Sequence, residues 1–413
     1  MADSVSSTTS NAALGQVSGE QRVFGYAQHL SLWFSLGVGL LVMQVGAYLV
    51  PAVGPKDALL AILIGSVIGA GLLAWTAKLG CDTGLTSAGL MHATYGKAFA
   101  MLPVLLNIVQ LVGWTTFELV VMREGTQAIA KQSLGLDLSG AGGVLAGTLL
   151  WGAVLCALIS ASMLTTVRAF ISRFALPLVV LSLLWLTWQF GGMVAAKGFD
   201  AFWNNPGKGG MGTLSAIDLV IAMPVSWLPL IADYSRHGKD GNAAFKGTWL
   251  GYAIANIWCY ALGVVIVTMT PEGAALVPAL LMAQGGLIAL GFILFDEIDN
   301  AYGDVYSGAV NSHSIFAQWS IRQWGLAIAV LCTVLALFLP MHSIEPFLLM
   351  LSSVFVPLYG VILGRLAAGG RQEQGKVNLS AALIWITGIV LYHSLAKWAP
   401  QLGSALPTLA ATL

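Results

Sequence analysis

The chain has 413 residues, of which 57% are hydrophobic and only 9% are charged, whereas an average soluble domain has roughly 25% charged residues. Eighteen basic and eighteen acidic residues balance to a formal charge of zero, so no basic surface is available to neutralise the phosphates of a nucleic acid. This composition excludes an ordinary soluble domain and a nucleic-acid-binding protein, and it predicts an all-α polytopic membrane protein that contacts the lipid bilayer.

The chain begins with a polar, Ser/Thr-rich segment. It lacks the basic start and apolar centre of a removable signal peptide, so residues 1–26 are predicted to be a disordered cytoplasmic tail.

Eleven apolar stretches of about 20 residues follow, the length at which an α-helix crosses a bilayer. They lie near 27–50, 58–77, 98–121, 142–163, 169–191, 213–234, 246–269, 279–311, 323–340, 345–366 and 378–397. The remainder, Pro400 to Leu413, is too short to span and predicts a partial or truncated twelfth helix. With the N-terminus inside, twelve Lys and Arg residues fall on the cytoplasmic side and six outside, which predicts a cytoplasmic N-terminus in a bacterial-type inner membrane.

Two spans contain residues that interrupt a regular helix. Span 1 carries glycines in SLGVGLLVMQVGAYLVP, and span 6 carries Pro224 and Pro229. Interrupted helices at corresponding positions of two halves are the strongest sequence indicator of a transporter's central site. The pair predicts inverted repeats at 27–192 and 212–367, with 376–413 forming a C-terminal unit; close helix packing is the alternative reading of the glycines.

Polar residues follow one face of span 3. Asn107, Gln110, Trp114 and Glu118 are spaced by three and four residues. The Trp114 ring could stack on a planar heterocycle, and Glu118 could accept hydrogen bonds from an exocyclic amine, a combination that suits an aminopyrimidine. Ordinary packing of Trp114 and a structural pairing of Glu118 are the alternative.

Span 8 contains four acids, Asp296, Glu297, Asp299 and Asp304. A charged residue at the centre of a membrane helix costs about 2.5–3.5 kcal/mol on insertion scales, so these acids must face protein, water or a cation. They predict a cation pathway; the alternative is that Asp296, Glu297 and Asp299 pair with intracellular basic residues. Asp304 is interpreted as structural.

Several motifs together resemble the nucleobase:cation symporter-1 family. They are QLVGW in span 3, GCDTGLTSAGLMHATYGKAF after span 2, ADYSRHGKD closing span 6 and DNAYGDVYSGAV in span 8. The resemblance runs from about Gln28 through span 11 and is strongest to cytosine permeases and to permeases assigned to hydroxymethylpyrimidine, a thiamine precursor. It implies a leucine-transporter-type fold with five-plus-five inverted repeats, 11–12 transmembrane helices and discontinuous helices 1 and 6.

The resemblance also implies a substrate site. Trp114 takes the place of the tryptophan that stacks on the base in relatives, and Glu118 replaces a glutamine of hydantoin-type members. Pro224 occupies the place of an aromatic residue on helix 6, which Trp227 could replace. The implied site comprises Trp114, Glu118, Gln110, Met223, Pro224, Ser226, Trp227, Asn300 and Tyr302.

Relatives bind sodium with helix 1 carbonyls and helix 8 hydroxyls. Here Asp296 and Glu297 stand where those hydroxyls are expected, near Asp299, and the facing positions are Ser35, Val38 and Gly39. The resemblance implies sodium at Ser35, Val38, Asp296 and Glu297, or a proton on the acids; the residues themselves favour neither ion.

The predicted function is secondary import of a planar pyrimidine coupled to Na⁺ or H⁺. Hydroxymethylpyrimidine is favoured, and cytosine or a related base is next. The rivals are an amino-acid transporter of the same fold and a non-coupled channel or receptor. No enzyme activity is predicted, because no Ser-rich segment has the matching His and Asp of a hydrolase. The predicted transport needs no resident cofactor.

Overall fold

The computed structural model describes residues 14–160, 176–271, 275–339, 344–367, 369–370 and 372–413. Within these ranges the chain is helical apart from its connections and one backbone bridge between Phe24 and Gly238. The helices are α1 Tyr26–Ser35, α2 Leu40–Leu49, α3 Pro55–Thr83, α4 Ser87–Tyr95, α5 Met101–Leu134, α6 Ala141–Ile159, α7 Leu176–Lys197, α8 Phe199–Trp203, α9 Thr213–Ser226, α10 Leu228–Ser235, α11 Gly241–Met269, α12 Leu276–Leu280, α13 Gly286–Ile315, α14 Ile321–Phe338, α15 Ile344–Ile362, α16 Leu379–Trp398 and α17 Ala405–Thr412. The predicted all-α class is confirmed.

The described residues contain nine helices that are long and apolar enough to cross a membrane, and α1 with α2 form a further crossing that bends by 62°. Helix α13 is 30 residues long but carries the four acids of predicted span 8. Their side chains are between 0% and 6% exposed, so α13 can cross with its acids turned towards protein. The start of predicted span 5, residues 169–175, lies outside the described residues.

Helix α13 starts later than the sequence predicted. Span 8 was expected from residue 279, but the short helix α12 and a turn come first. Gly285 has a φ of +71°, a left-handed conformation that glycine adopts without steric cost, and α13 begins at the next residue. Asp296 therefore lies about 15 Å from the start of α13 along its axis.

The crossing formed by α9 and α10 is interrupted at Trp227 alone. Pro224 and Pro229 flank this residue and remove backbone hydrogen bonds. Tyr260 Oη donates to Val220 O, the carbonyl left by Pro224, at 3.1 Å, and two amides of α5 bind carbonyls beside the interruption: Asn107 Nδ2 donates to Pro229 O at 2.7 Å, and Gln110 Nε2 donates to Ser226 O at 3.2 Å. Side chains of the protein thus satisfy these three carbonyl groups.

The structure differs from the predicted disordered tail at residues 14–25. Val23 N and Phe24 N donate to His237 O at 2.8 and 2.9 Å. The Arg22 guanidinium donates to Cys81 O at 2.8 Å. Because these bonds hold the segment against the C-terminal ends of α3 and α10, only residues 1–13, which lie outside the described residues, keep the original prediction.

The last helix, α17, has eight residues and follows α16 through a short turn. Asp218 of α9 accepts hydrogen bonds from Ser404 N and Ala405 N, which caps the start of α17. Thr408 and Thr412 are buried, and a side chain on Gly360 of α15 would collide with Thr412. The segment is too short to span, as predicted, and it packs against α15 and α16. The repeat boundaries stay a prediction.

Candidate functional site

The break between α1 and α2 exposes backbone groups at the level of the acids of α13. Residues 36–39 are not α-helical, so the ends of both helices lack their usual partners. Leu40 N donates to the Glu297 carboxylate, and Asn300 Nδ2 donates to Val38 O at 3.2 Å. The sequence SLGVG at this point explains the close approach, because a side chain on Gly39 would lie 3.1 Å from Glu297 Oε1.

Ser35, the last residue of α1, connects the break to two further acids. Its hydroxyl donates to Asp296 Oδ1 at 2.9 Å and lies within hydrogen-bonding reach of Asp299. Asp296 Oδ2 and Asp299 Oδ2 are buried and have no hydrogen-bond partner among the described residues. Buried polar atoms are nearly always satisfied, so these two oxygens indicate a proton, water or cation at this position.

Glu297 faces a second carboxyl group, Glu118 of α5. The two side chains lie within hydrogen-bonding reach of each other. Glu297 also accepts from Asn300 Nδ2 at 3.3 Å, whereas Glu118 Oε2 has no partner among the described residues. Two carboxyl groups can share a hydrogen bond only if one of them carries a proton, so this pair holds at least one proton.

A small cavity lies between α5, α9, α13 and the helix break. It is lined by Leu36, Gly39, Leu41, Val42, Trp114, Glu118, Met223, Ser226, Trp227, Glu297, Asn300 and Asp304. The centre of a water molecule can move over about 20 Å³ inside it, which is room for one or two waters. A planar ring therefore enters only when the surrounding side chains move apart.

Trp114 lines this cavity from α5 and is 6% exposed. The edge of its ring meets Phe347 of α15, with the ring centroids 5.2 Å apart and the planes at 73°. Its indole N–H has no acceptor among the described residues. The ring is thus fixed by packing while its polar edge is unsatisfied.

The residues that the resemblance implied in predicted span 6, which is α9 and α10 in the structure, divide between the cavity and the protein interior. Met223, Ser226 and Trp227 line the cavity, as the resemblance implied. Pro224 does not: it packs against α3, where a side chain on Gly69 would collide with it. Adjacent residues of a helix point about 100° apart, which explains why Pro224 turns away while its neighbours do not.

Two other implied substrate residues lie outside the cavity lining. Gln110 bonds Ser226 O and Asn107 Oδ1, so it supports the interrupted helix. Tyr302 stacks on Tyr306, with the ring planes 10° apart. Because Tyr302 is two positions after Asn300, it points to the opposite side of α13. Gln110, Tyr302 and Pro224 are therefore absent from the cavity lining, and their implied role in substrate binding stays a prediction.

Sequence reasoning missed Asp304 as a residue of the cavity. It follows Glu297 by seven positions and Asn300 by four, which places all three on one helical face. The spacing in the sequence alone is enough to predict that Asp304 shares this face with Glu297 and Asn300. The cavity thus contains three acids, one from α5 and two from α13.

The residues that the resemblance implied for cation binding form two groups around the break between α1 and α2. Ser35 contacts Asp296 and Asp299, whereas Val38, Gly39 and Leu40 face Glu297 and Asn300. In the part of the chain that the structure describes, no three His, Cys, Asp or Glu side chains are grouped closely enough to hold a metal ion. The Ser35 group still offers hydroxyl and carboxylate oxygens, which hard cations prefer.

A helix broken beside buried acids, within this arrangement of crossings, defines a transporter of the leucine-transporter fold rather than an enzyme. The chain belongs to the family of permeases for cytosine/purines, uracil, thiamine and allantoin, whose sequence profile matches residues 16–409. The predicted membership of the nucleobase:cation symporter-1 family is confirmed. No curated protein matches the chain significantly.

Solved structures share this fold. MHP1, a nucleobase-cation-symport-1 family transporter in a closed conformation with bromovinylhydantoin bound, is 16% identical, with 98% of this chain and 93% of that chain covered and a TM-score of 0.81. MhsT in complex with L-phenylalanine is 15% identical, with 94% and 98% covered and a TM-score of 0.64. A Na⁺-coupled sialic acid symporter in an outward-open state is 11% identical, with 95% and 88% covered and a TM-score of 0.62.

Proposed function

We propose that this chain is a secondary active symporter that imports a planar pyrimidine, with hydroxymethylpyrimidine as the favoured substrate and cytosine or a related base next. Transport is coupled to a sodium or proton gradient across a bacterial-type inner membrane, with the N-terminus in the cytoplasm. The observation that carries the proposal is the position of Trp114 and Glu118, which share one face of α5 and line the cavity beside the helix break.

In this proposal Trp114 and Trp227 enclose the ring, and Glu118 binds the amino edge of the pyrimidine. The resemblance to MHP1, solved with bromovinylhydantoin bound, supports a flat heterocycle as ligand. Met223, Ser226 and Asn300 complete the substrate site through their places in the cavity lining.

The coupling cation is assigned to the two groups at the break. Asp296, Asp299 and Ser35 form one of them, and Glu297 with Val38 and Gly39 forms the other. Because Glu297 contacts both Leu40 and Glu118, a change of charge at the break alters the cavity as well. Linkage then requires that cation and substrate strengthen each other's binding equally.

Uptake into proteoliposomes tests the proposal. Hydroxymethylpyrimidine, cytosine, uracil and phenylalanine are each supplied with an inward sodium gradient, an inward proton gradient or no gradient. We expect uphill uptake of a pyrimidine under one gradient. Saturable uptake of phenylalanine alone would instead indicate an amino-acid transporter, and gradient-independent equilibration would indicate a channel.

A further inference from the structure

The cavity is strongly acidic. Glu118, Glu297 and Asp304 contribute carboxyl groups that are 4%, 0% and 3% exposed as residues. Among the twelve described residues that line the cavity there is no Lys, Arg or His. Buried carboxylates without a partner are costly, so this site requires positive charge from protons or from what it binds.

One proton is accounted for by the contact between Glu118 and Glu297. With that proton shared, the pair still carries one negative charge. Leu40 N and Asn300 Nδ2 both donate to Glu297, which favours placing the charge there and the proton on Glu118. Glu118 Oε2 nevertheless remains without a partner among the described residues.

Asp304 is the third acid, and its carboxyl group has neither a hydrogen-bond donor nor a basic residue beside it among the described residues. No hydrogen bond or ion pair from the described residues reaches it, although Asn300 and Glu297 lie on the same face of α13. The ion pairs found in the described chain join other residues: Lys78 with Asp82, Arg123 with Glu124, and Arg365 with Glu373. Asp304 therefore faces the cavity as an acceptor without a protein donor.

The aromatic lining suits the same kind of ligand. Trp114 and Trp227 both border the cavity. Indole is the best of the side-chain rings for attracting a cation over its face, and the attraction grows when water is excluded. The buried, unpartnered indole N–H of Trp114 is a second sign, independent of the acids, that a ligand belongs here, and as a donor it requires an acceptor atom such as an unprotonated ring nitrogen.

We propose that this site takes its substrate as a cation: a planar nitrogen heterocycle that is protonated or carries a fixed positive charge. The ring lies between the indoles, and its charged N–H groups donate to Asp304 and Glu118. This inference rests on the proposed function and deepens it, because it selects the charged form of an aminopyrimidine over the neutral form.

A matched pair of small rings tests the charge preference. 4-Aminopyridine is a cation at neutral pH, whereas 4-aminopyrimidine is neutral there, and the two differ by one ring atom. Their affinities are measured by calorimetry on the purified full chain at pH 7.5. Charge-assisted hydrogen bonds are about twice as strong as neutral ones, so 4-aminopyridine is expected to bind at least about tenfold more tightly.

Variants locate the effect. Asp304→Asn should reduce the affinity ratio of the two rings to about threefold or less, whereas Asp304→Glu should retain a clear preference for the cation. Asp57→Asn, at an exposed acid in the first turn of α3, is the control and should leave the ratio unchanged. If the Asp304 variants fail to fold, the affinity ratio of the two rings in the unmodified protein still tests whether the site prefers a cation.

The outcomes separate the two claims. If 4-aminopyrimidine binds as tightly as 4-aminopyridine, or more tightly, the cationic substrate is ruled out while a neutral pyrimidine remains acceptable. If neither ring binds, and hydroxymethylpyrimidine and cytosine do not bind either, the result also contradicts the proposed pyrimidine site. An unchanged ratio in Asp304→Asn would remove Asp304 from the explanation and overturn its assigned role.

Discussion

Glu297 of α13 accepts a hydrogen bond from the backbone N–H of Leu40, the first residue of α2. The N-terminus of a helix carries partial positive charge, so a carboxylate in this place stabilises the start of α2. Glu297 also reaches Glu118 at the substrate cavity. One side chain thereby joins the helix break to the position where the pyrimidine edge is proposed to bind.

Glu118→Gln should discriminate between substrates. The amide keeps the shape but, unlike the carboxyl group, cannot pass a proton to Glu297 and take the negative charge that strengthens a hydrogen bond from an amino group. Affinity for an aminopyrimidine should therefore fall about tenfold or more, while affinity for uracil changes little. Competition binding with both rings measures this. Glu124→Gln, on the same helix but partly exposed and paired with Arg123, is the matched control. Equal losses for both rings would contradict the assigned role.

Asp296→Asn should uncouple uptake from the ion gradient. The variant removes the charge that accepts from Ser35 at the end of α1, so gradient stimulation should fall by about tenfold, within the usual range of coupling free energies. Uptake with and without the gradient is compared in proteoliposomes. Asp200→Asn, at an exposed position in α8, should behave like the unmodified protein. Full gradient dependence in Asp296→Asn would return this acid to a structural role.

Trp114→Phe should weaken pyrimidine binding. The smaller ring loses part of the stacking surface, which corresponds to about 0.5–1.5 kcal/mol. Tryptophan fluorescence during titration reports both the affinity and the loss of quenching from the cavity. Trp188→Phe provides the comparison, since Trp188 is 76% exposed on the surface of α7. Quenching that survives unchanged in Trp114→Phe would place the ligand elsewhere.

Asp233→Ala should destabilise the contacts at the C-terminal end of α10. Asp233 is fully buried at the end of α10 and accepts from Ser87 N, Ser307 Oγ and Asn311 Nδ2. Leaving such buried donors without an acceptor costs about 1–3 kcal/mol, which should appear as a lower apparent Tm in detergent. Asp137→Ala, in an exposed loop, should not change the Tm. An unaltered Tm for Asp233→Ala would show that these contacts contribute little.

His237 gives a pH dependence outside the membrane. Burial, with a smaller contribution from the Arg236 charge, lowers the pKa of His237 from 6.5 to about 4. The unfolded chain therefore takes up the proton first, so stability is complete above pH 6.5 and is lost as the pH falls towards 4. The loss at pH 5 is about 2 kcal/mol.

Thermal melts at pH 7 and pH 5 measure this effect. His237→Gln should reduce the difference in Tm between the two pH values, whereas His393→Gln, at an exposed residue of α16, should leave it unchanged. A difference of equal size in all three proteins would show that His237 does not control it.

Most of the helical crossings were predictable because length and hydropathy decide them independently of neighbours. The break in span 1 was predictable for a similar reason: SLGVG lacks the side chains that stabilise a continuous helix. The bend of 62° was not, because it depends on the packing of α1 and α2 against other helices.

The site was less predictable, because it depends on which helical face meets which neighbour. The spacing of Trp114 and Glu118 indicated their shared face, and both line the cavity, whereas Pro224 and Tyr302 lie one and two positions from a lining residue and turn away from it. Asp304 was missed because an acid near a helix end was read as structural. The contact between Glu297 and Glu118 joins α13 to α5 and has no signal in either segment alone.

A cryo-EM structure of the chain with saturating hydroxymethylpyrimidine tests the central claim most directly. We expect density for the ring between Trp114 and Trp227, with its amino edge within hydrogen-bonding distance of Glu118. A ring bound outside this cavity, for example in the groove beside Asp218 and His393, would contradict it.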